Sequence, residues 1–188
     1  MKLVLGSKSK GRRSVLDAAG YDYEVMSADI DEKAIRFDDP KELVLALAHA
    51  KADALLSQIN EPLLLITADQ VAVSNGEIRE KPEGEEEARA FLRSYKDFPL
   101  ETVNGVVVVN TASGKRTGDV DVSRITFSDM PENVIDALIE AGRVMHCAGA
   151  IRVEDPLLKP FIDTFDGSFD STSGLPLALL ERLIKEAS

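Results

Sequence analysis

The first loop of the chain gathers groups that bind phosphate. Between Gly6 and Arg13 the sequence runs Gly-Ser-Lys-Ser-Lys-Gly-Arg-Arg, after a short apolar run and before a helical pattern. Free backbone N–H groups, hydroxyls and cations therefore converge at a helix N-terminus, where the helix dipole favours an anion. The glycine spacing resembles a P-loop, but Arg12-Arg13 replaces the lysine and hydroxyl residue that such a loop requires. The residues predict a triphosphate cradle of another kind or, alternatively, a polar turn with a solvated basic face.

A lysine lies within the apolar face of a predicted helix. The helix predicted from Pro40 to about Ile59 has one apolar arc, formed by Leu43, Val44, Leu47, Ala48, Ala54 and Leu55. At about 100° per residue, Lys51 falls near the centre of that arc. Because a buried ammonium is costly without a partner, Lys51 is predicted to meet a carboxylate or a phosphate. The alternative is that its side chain extends from the edge of the arc into water.

A carboxylate interrupts the most apolar predicted strand. Asp69 lies within 65–73, where a strand interior normally holds β-branched or aromatic residues. By strand alternation it shares a face with Thr67 and Val71, whereas Gln70 faces the other way unless the strand bends or bulges. Unless Asp69 caps a local loop, its charge requires compensation.

Three groups are candidates to compensate Asp69: Lys51, Lys81 and a divalent ion. Asn75-Gly76 predicts a hairpin whose return strand ends near Lys81. That ammonium is therefore expected within a few residues of Asp69 across the ladder. Glu32 is a candidate second metal ligand, although its acidic loop, taken alone, favours solvated surface.

Periodicity predicts an α/β chain with a mixed sheet. Strands are predicted at 2–5, 23–26, 63–73, 101–112 and 115–127 and in the return strand to about 81, and helices at 12–19, 40–59, 85–96, 131–141 and 176–186. Ser128 or Asp129 is expected to cap the helix at 131, and 151–165 is expected to be mostly extended.

Composition limits the classes of function. The chain has 188 residues, 44% of them hydrophobic, which predicts a single domain over 1–188. A net charge of −11 argues against binding a nucleic acid backbone. No apolar run reaches the roughly 18 residues of a membrane helix. A lone cysteine, Cys147, and two histidines cannot form a structural zinc site. We expect a cytoplasmic protein with neither nucleic acid nor membrane as a partner.

Together the motifs resemble the Maf family of nucleotide pyrophosphatases. In chain order they are Ser7-Lys8-Ser9-Lys10-Gly11-Arg12, Asp31-Glu32, Lys51, Ala68-Asp69-Gln70-Val71, Lys81-Pro82, Ala148-Gly149-Ala150 and Gly174-Leu175-Pro176-Leu177. Each motif is short, but their shared order over nearly the whole chain makes the set specific.

One branch of that family, the 7-methyl-GTP pyrophosphatases, is similar in more detail. The shared residues are Arg12-Arg13, Asp69-Gln70-Val71 and His146-Cys147-Ala148-Gly149. The dTTP/UTP branch tends to carry Asp-Thr-Val or Asp-Thr-Ile, and a glutamine where this chain has Glu154. Lys10 stands in place of the usual proline, and Gly11 in place of the bulky residue of some branch members. These two differences are expected to alter the contacts with the nucleotide base.

The resemblance implies an enzyme that cleaves a nucleoside triphosphate, modified or surplus, between its α- and β-phosphates. It implies an α/β fold of the Maf/ITPase type: a two-lobed, elongated mixed β-sheet flanked by helices, with a central cleft. Asp69 would activate water, and Asp69 and Glu32 would hold a divalent metal, Mg²⁺ with Mn²⁺ or Co²⁺ as alternatives. A homodimer is also implied. Substrate binding would fall to Ser7, Ser9, Arg12, Arg13, Lys51, Gln70, Lys81 and Glu154.

Two other functions stay open from the sequence. One is a dTTP/UTP pyrophosphatase of the same family. The other is a non-catalytic nucleotide-binding regulator of cell division. Asp69 separates catalysis from mere binding, because an anion binder gains nothing from a carboxylate beside its phosphates, whereas hydrolysis needs one.

Overall fold

The computed structural model describes residues 1–188, which alternate strands and helices along the chain. The strands are β1 (Lys2–Leu5), β2 (Glu24–Val25), β3 (Leu63–Ser74), β4 (Glu77–Arg79), β5 (Leu100–Asn110), β6 (Arg116–Phe127) and β7 (Ile162–Asp166). The helices are α1 (Lys10–Ala18), α2 (Pro40–Leu56), α3 (Glu85–Ser94), α4 (Glu132–Glu140), α5 (Phe169–Thr172) and α6 (Leu177–Ala187). The predicted α/β class is confirmed.

The seven strands form one mixed sheet. Their order is β2-β1-β3-β5-β6-β7, and β4 pairs with β3 off this path. β1 runs parallel to β2 and β3, whereas β3–β4 and β6–β7 are antiparallel. Leu5, at the end of β1, pairs with Ile66, so β3 continues past β1 from Thr67 onward. That extension places Asp69 just beyond the point where the first loop leaves the sheet.

The chain divides into two compact units. The first comprises Met1–Gln70, Asn104–Asp121 and Ser173–Ser188, and the second comprises Val71–Val103 and Val122–Thr172. That residues 1–188 make a single domain stays a prediction.

The first unit buries both faces of its strands, and alternation assigns each residue to a face. One apolar cluster contains Leu64, Ile66 and Ala68 together with residues of α1 and α6. The other contains Leu63 and Leu65 together with residues of α2. Odd-numbered residues of β3 therefore face α2, which directs Thr67 and Asp69 toward that helix.

The close approach of α2 to β5 requires a glycine. A Cβ built on Gly105 would lie 2.5 Å from the carbonyl carbon and oxygen of Val44 and 2.7 Å from the nitrogen of Leu45. These are backbone atoms of α2, which cannot move without displacing the helix. Gly105 thus sets the distance between the sheet and the helix that carries Lys51.

The second unit has its own core. It is built around Tyr95, which directly follows α3, and around Leu100, Phe127, Ile135 and Leu138 from β5, β6 and α4. Tyr95 and Phe127 pack with ring centroids 5.7 Å apart. This core supports the irregular segment from Arg143 to Phe161, from which Val153 and Leu158 point inward.

Several predicted boundaries are corrected by the structure. α1 begins at Lys10 because Ser9 already serves as its N-cap. The return strand β4 ends at Arg79, short of Lys81. Pro131, not Ser128 or Asp129, precedes α4, without a side-chain cap. The segment 151–161 is irregular, with turns at 153–154 and 156–158 and a 3₁₀ turn at Lys159–Phe161, so the expectation of a mostly extended segment over 151–165 holds only from β7 onward.

No helix in the structure has both the length and the apolar character needed to cross a bilayer.

We predict that Gly105→Ala lowers the free energy of unfolding by about 3 kcal/mol, because the added methyl overpacks the contact with the α2 backbone. Gly118→Ala, on the neighbouring strand, is the matched control. Its Cβ would meet mainly side-chain atoms, Val107 Cγ2 at 3.1 Å and Leu45 Cδ1 at 3.3 Å. Urea denaturation of both variants is the measurement, and equal losses would contradict the backbone contact.

Candidate active site

A buried lysine and a buried aspartate form the centre of the site. Asp69 is 7% exposed and Lys51 is 9% exposed. Lys51 Nζ donates to Asp69 Oδ1 at 2.5 Å. Nearby, Thr67 Oγ1 donates to the carbonyl of Ala48 at 2.7 Å and joins β3 to α2 at the same level. The prediction that Lys51 points inward and meets a carboxylate is confirmed.

The same ammonium also binds a second carboxylate. Lys51 Nζ lies 2.8 Å from Glu32 Oε1. Glu32 opens a single 3₁₀ turn, Glu32–Ala34, whose cap is Asp31. Its side chain is 56% exposed, so it reaches the buried lysine from the solvent side. The acidic loop is solvent-exposed, as expected for solvated surface, but Glu32 reaches from it to the buried lysine. That Glu32 is a metal ligand stays a prediction.

The first loop positions Arg12 through Ser7. Ser7 Oγ accepts from the Ser9 backbone N–H at 3.2 Å and from Arg12 Nη1 at 3.1 Å. Ser9 caps α1 by accepting from the Arg12 backbone N–H at 3.5 Å. The two serines and the arginine of the loop therefore form one hydrogen-bonded group at the start of α1, where backbone N–H groups favour an anion.

Arg12 is anchored by a residue from the far end of the chain. Its Nε donates to the carbonyl of Gly174 at 3.0 Å. A Cβ on Gly174 would lie 3.3 Å from that Nε and 3.5 Å from Gln70 Oε1, so Gln70 lies beside Arg12 at Gly174. This agrees with the prediction that Gln70 faces away from Asp69. The structure adds that Gln70 lies on the α1 side of the strand.

Gly11 is explained by the same chain segment. A Cβ at Gly11 would lie 2.6 Å from the backbone carbonyl oxygen of Ser173. No bulky side chain fits at this position while Ser173 stays where it is. The departure from the branch pattern at Gly11 is therefore matched by a close approach of the 173–174 backbone.

The electrostatics of the group depend on burial and on mutual compensation. Desolvation raises the pKa of Asp69, and the charge and hydrogen bond of Lys51, followed by the charge of Arg12, oppose that rise. Glu32 raises the pKa of Asp69 slightly further. Burial lowers the pKa of Arg12, while the charges of Asp69 and Glu32 raise it. The two cations therefore favour the ionised form of a carboxyl group whose pKa is raised by burial.

Arg13 is placed apart from this group. It lines an open surface cavity of about 620 Å³ together with Lys10, Asp17, Tyr21 and Tyr23. Arg12, Lys51 and Asp69 do not line this cavity. Its carbonyl accepts from the Tyr23 hydroxyl at 3.3 Å. Whether Arg13 contacts substrate stays a prediction.

Lys81 and Glu154 belong to the second unit. Both act on the Cys147 thiol: burial chiefly raises its pKa, Arg152 lowers it, Glu154 raises it and Lys81 lowers it. Lys81 and Glu154 are thus both near Cys147 within this unit. The backbone N–H of Gly149 donates to the Glu80 carbonyl at 3.0 Å, next to Lys81.

Two carboxylates make the available set for a divalent cation. Asp69 and Glu32 converge on one ammonium, and no group of three or more histidine, cysteine or acidic side chains is arranged to hold a metal. Mg²⁺ is typically bound by one or two carboxylates, with phosphate oxygens and waters completing its shell. The donor set fits an ion that arrives with a phosphorylated substrate.

Comparison with known proteins places the chain in a family. The model of the family described as Maf-like protein matches residues 2–187, and the chain belongs to this family. A Dictyostelium discoideum protein named 7-methyl-GTP pyrophosphatase is 44% identical over 99% of this chain and 97% of its own length. A Synechococcus nucleoside triphosphate pyrophosphatase is 34% identical over 98% of this chain and 93% of its own. A Clostridium perfringens dTTP/UTP pyrophosphatase is 31% identical over 98% and 96%.

We predict that Asp69→Asn gains stability relative to the natural chain as the pH rises from about 4 to about 7. The pKa of Asp69 is raised in the folded protein above its ordinary value of 3.8. The folded state therefore holds this proton more tightly than the unfolded state, and ionisation destabilises the fold as pH rises through the folded pKa. Chemical denaturation of both proteins across that range is the measurement, and a constant difference in unfolding free energy would contradict the shift.

Proposed function

We propose that this protein is a nucleoside triphosphate pyrophosphatase that hydrolyses 7-methyl-GTP to the monophosphate and pyrophosphate. One observation carries the proposal: a buried carboxylate, Asp69, is paired with Lys51 at 2.5 Å and lies within range of the Arg12 charge, beside a loop suited to phosphate. Membership of the Maf family and the 44% identity to a protein named 7-methyl-GTP pyrophosphatase support the same reaction.

In the proposed reaction Asp69 acts as general base. The contact with Lys51 engages Oδ1, which leaves Oδ2 to accept a proton from water. The water oxygen forms a bond to the α-phosphorus, the bond from that phosphorus to the α–β bridging oxygen breaks, and the electron pair leaves with pyrophosphate. The proton passes to Asp69 and is returned to solvent.

The cations of the site are proposed to neutralise the charge that develops on the phosphates. Arg12 would bind through a guanidinium fixed by Ser7 and Gly174, so little reorganisation is needed when charge develops. Lys51 and Lys81 would supply further ammonium groups, and Ser9 and Arg13 would assist. A divalent ion held by Asp69 and Glu32, Mg²⁺ first and Mn²⁺ or Co²⁺ next, would add Lewis-acid stabilisation when bound.

Recognition of the base is proposed to involve Glu154 and Gln70. A glutamate accepts hydrogen bonds from a guanine edge, and its charge suits the cationic ring of 7-methylguanine. The relative named for dTTP and UTP, at 31% identity, supports those nucleotides as the second candidate substrates. We also propose action in the cytoplasm, as a homodimer, the latter on family resemblance alone.

We predict that Asp69→Asn reduces pyrophosphate release from 7-methyl-GTP by at least about 100-fold, since general-base catalysis contributes about 10²–10⁴-fold. Nucleotide binding should be retained, because the Lys51 and Arg12 cations stay in place. Asp53→Asn, at an exposed carboxylate paired with Arg116, is the matched control and should keep full activity. Unchanged release in Asp69→Asn would refute catalysis at this residue, whereas nucleotide binding without any pyrophosphate release from the natural chain would favour a nucleotide-binding regulator.

We predict that Glu154→Gln reduces the preference for 7-methyl-GTP over UTP by about tenfold, the scale of one hydrogen bond to a charged group. The measurement is the ratio of kcat/KM for the two nucleotides, with Glu140→Gln, at an exposed position of α4, as the matched control. An unchanged ratio in Glu154→Gln would remove this residue from base recognition.

A further inference from the structure

The residue proposed to read the base is held between two buried neighbours. Val153 is 3% exposed and Asp155 is 2% exposed, while Glu154 between them is only half-buried. When both neighbours are fixed in the core, the direction in which the intervening side chain leaves the backbone is fixed as well. The orientation of Glu154 therefore depends on what holds Val153 and Asp155.

Asp155 is the centre of the turn that follows Glu154. Its Oδ1 accepts from the Leu157 backbone N–H at 3.0 Å. Its carbonyl accepts from the backbone N–H groups of Leu158 and Lys159, both at 3.0 Å, and its own N–H donates to the Arg152 carbonyl at 2.9 Å. One residue thus organises the backbone from Arg152 to Lys159.

Arg143 ties this turn to another part of the second unit. Its Nε donates to Asp155 Oδ2 at 3.0 Å, and its Nη2 lies 2.9 Å from the same oxygen. The Asp155 side chain is 1% exposed, whereas that of Arg143 is 48% exposed. The guanidinium therefore lies between the buried carboxylate and solvent. Because Arg143 directly precedes the 3₁₀ turn Val144–His146, its ion pair links Asp155 to that turn.

The pair is poorly suited to a purely stabilising role. Asp155 is buried and carries a desolvation penalty, which its half-exposed partner Arg143 offsets only in part, and an apolar pair of similar volume would often stabilise the fold as well. What an ion pair adds is a unique geometry, since the carboxylate must face the guanidinium and the N–H of Leu157 together. That geometry is what a neighbouring recognition residue needs.

We propose that Arg143 and Asp155 are positioning residues that orient Glu154 and thereby set the choice of base. The proposal rests on the proposed role of Glu154 in recognising the nucleotide. Arg143 acts through Glu154 and needs no contact with substrate.

The test is a double-mutant cycle on nucleotide binding with the full-length protein. Isothermal titration calorimetry with the α,β-methylene analogues of 7-methyl-GTP and UTP gives the ratio of the two Kd values without any hydrolysis. The variants are Arg143→Met and Arg143→Lys, each in the natural chain and in Glu154→Gln. Lys159→Met, at an exposed cation of the same turn, is the matched control, and thermal denaturation monitors folding.

We expect Arg143→Met to reduce the preference for the 7-methyl-GTP analogue about fivefold or more when Glu154 is present, and to leave it unchanged in Glu154→Gln, since residues that act as a unit are not additive. Arg143→Lys should restore most of the preference, because its ammonium can still reach Asp155. Asp155→Asn, which keeps the side-chain shape, replaces Arg143→Met if that variant does not fold, and it should show the same dependence on Glu154.

Three results would overturn the positioning role. They are an unchanged ratio of the two Kd values in Arg143→Met, an equal change of that ratio with Glu154 and with Glu154→Gln, and an unchanged ratio in Glu154→Gln alone. Pyrophosphate release from the parent triphosphates is measured separately. If binding shows the expected cycle but no pyrophosphate is released, the proposed hydrolase activity fails while the positioning role stands.

Discussion

A charged pair in an apolar setting is the constraint on which the first unit depends. Asp69 sits in a strand whose other members are nearly all buried and apolar, and Lys51 lies on the buried face of α2. Neither charge is tolerable there alone, because an unpaired buried charge is far more costly than a paired one. Their contact at 2.5 Å compensates both. Burial raises the pKa of Asp69, and the charge and hydrogen bond of Lys51 oppose that rise and so favour the ionised carboxylate that a general base must be.

The rest of the first unit can be understood as support for that pair. Gly105 lets α2 approach β5 closely enough to bring Lys51 over the sheet. The parallel pairing of β1 with β3 carries Asp69 past the first loop, so that Arg12 acts on it electrostatically. In open α/β sheets, ligands commonly bind beyond the carboxyl ends of the strands, where loops and helix N-termini converge. The candidate site lies at such a position.

Local periodicity accounts for what could be predicted from the sequence. Strand alternation around Asp69 and the helical arc around Lys51 repeat within a few residues, so both side chains could be assigned to buried faces. The partners of Arg12 and Asp155 could not, because Arg12 bonds a carbonyl 162 positions away and Arg143 joins Asp155 across an irregular segment. Because every residue has a backbone carbonyl, residue types do not indicate which carbonyl accepts a hydrogen bond. The turn at 152–159 was missed for the same reason, since its hydrogen bonds follow from one buried aspartate rather than from a repeating pattern.

In the proposed reaction, water activated at Asp69 attacks the α-phosphorus of a nucleoside triphosphate. Hydrolysis of 7-methyl-GTP in ¹⁸O-labelled water, with mass spectrometry of both products, identifies the phosphorus that is attacked. We expect the label in the nucleoside monophosphate and not in pyrophosphate. Label in pyrophosphate would place the attack on the β-phosphorus and contradict the assigned chemistry.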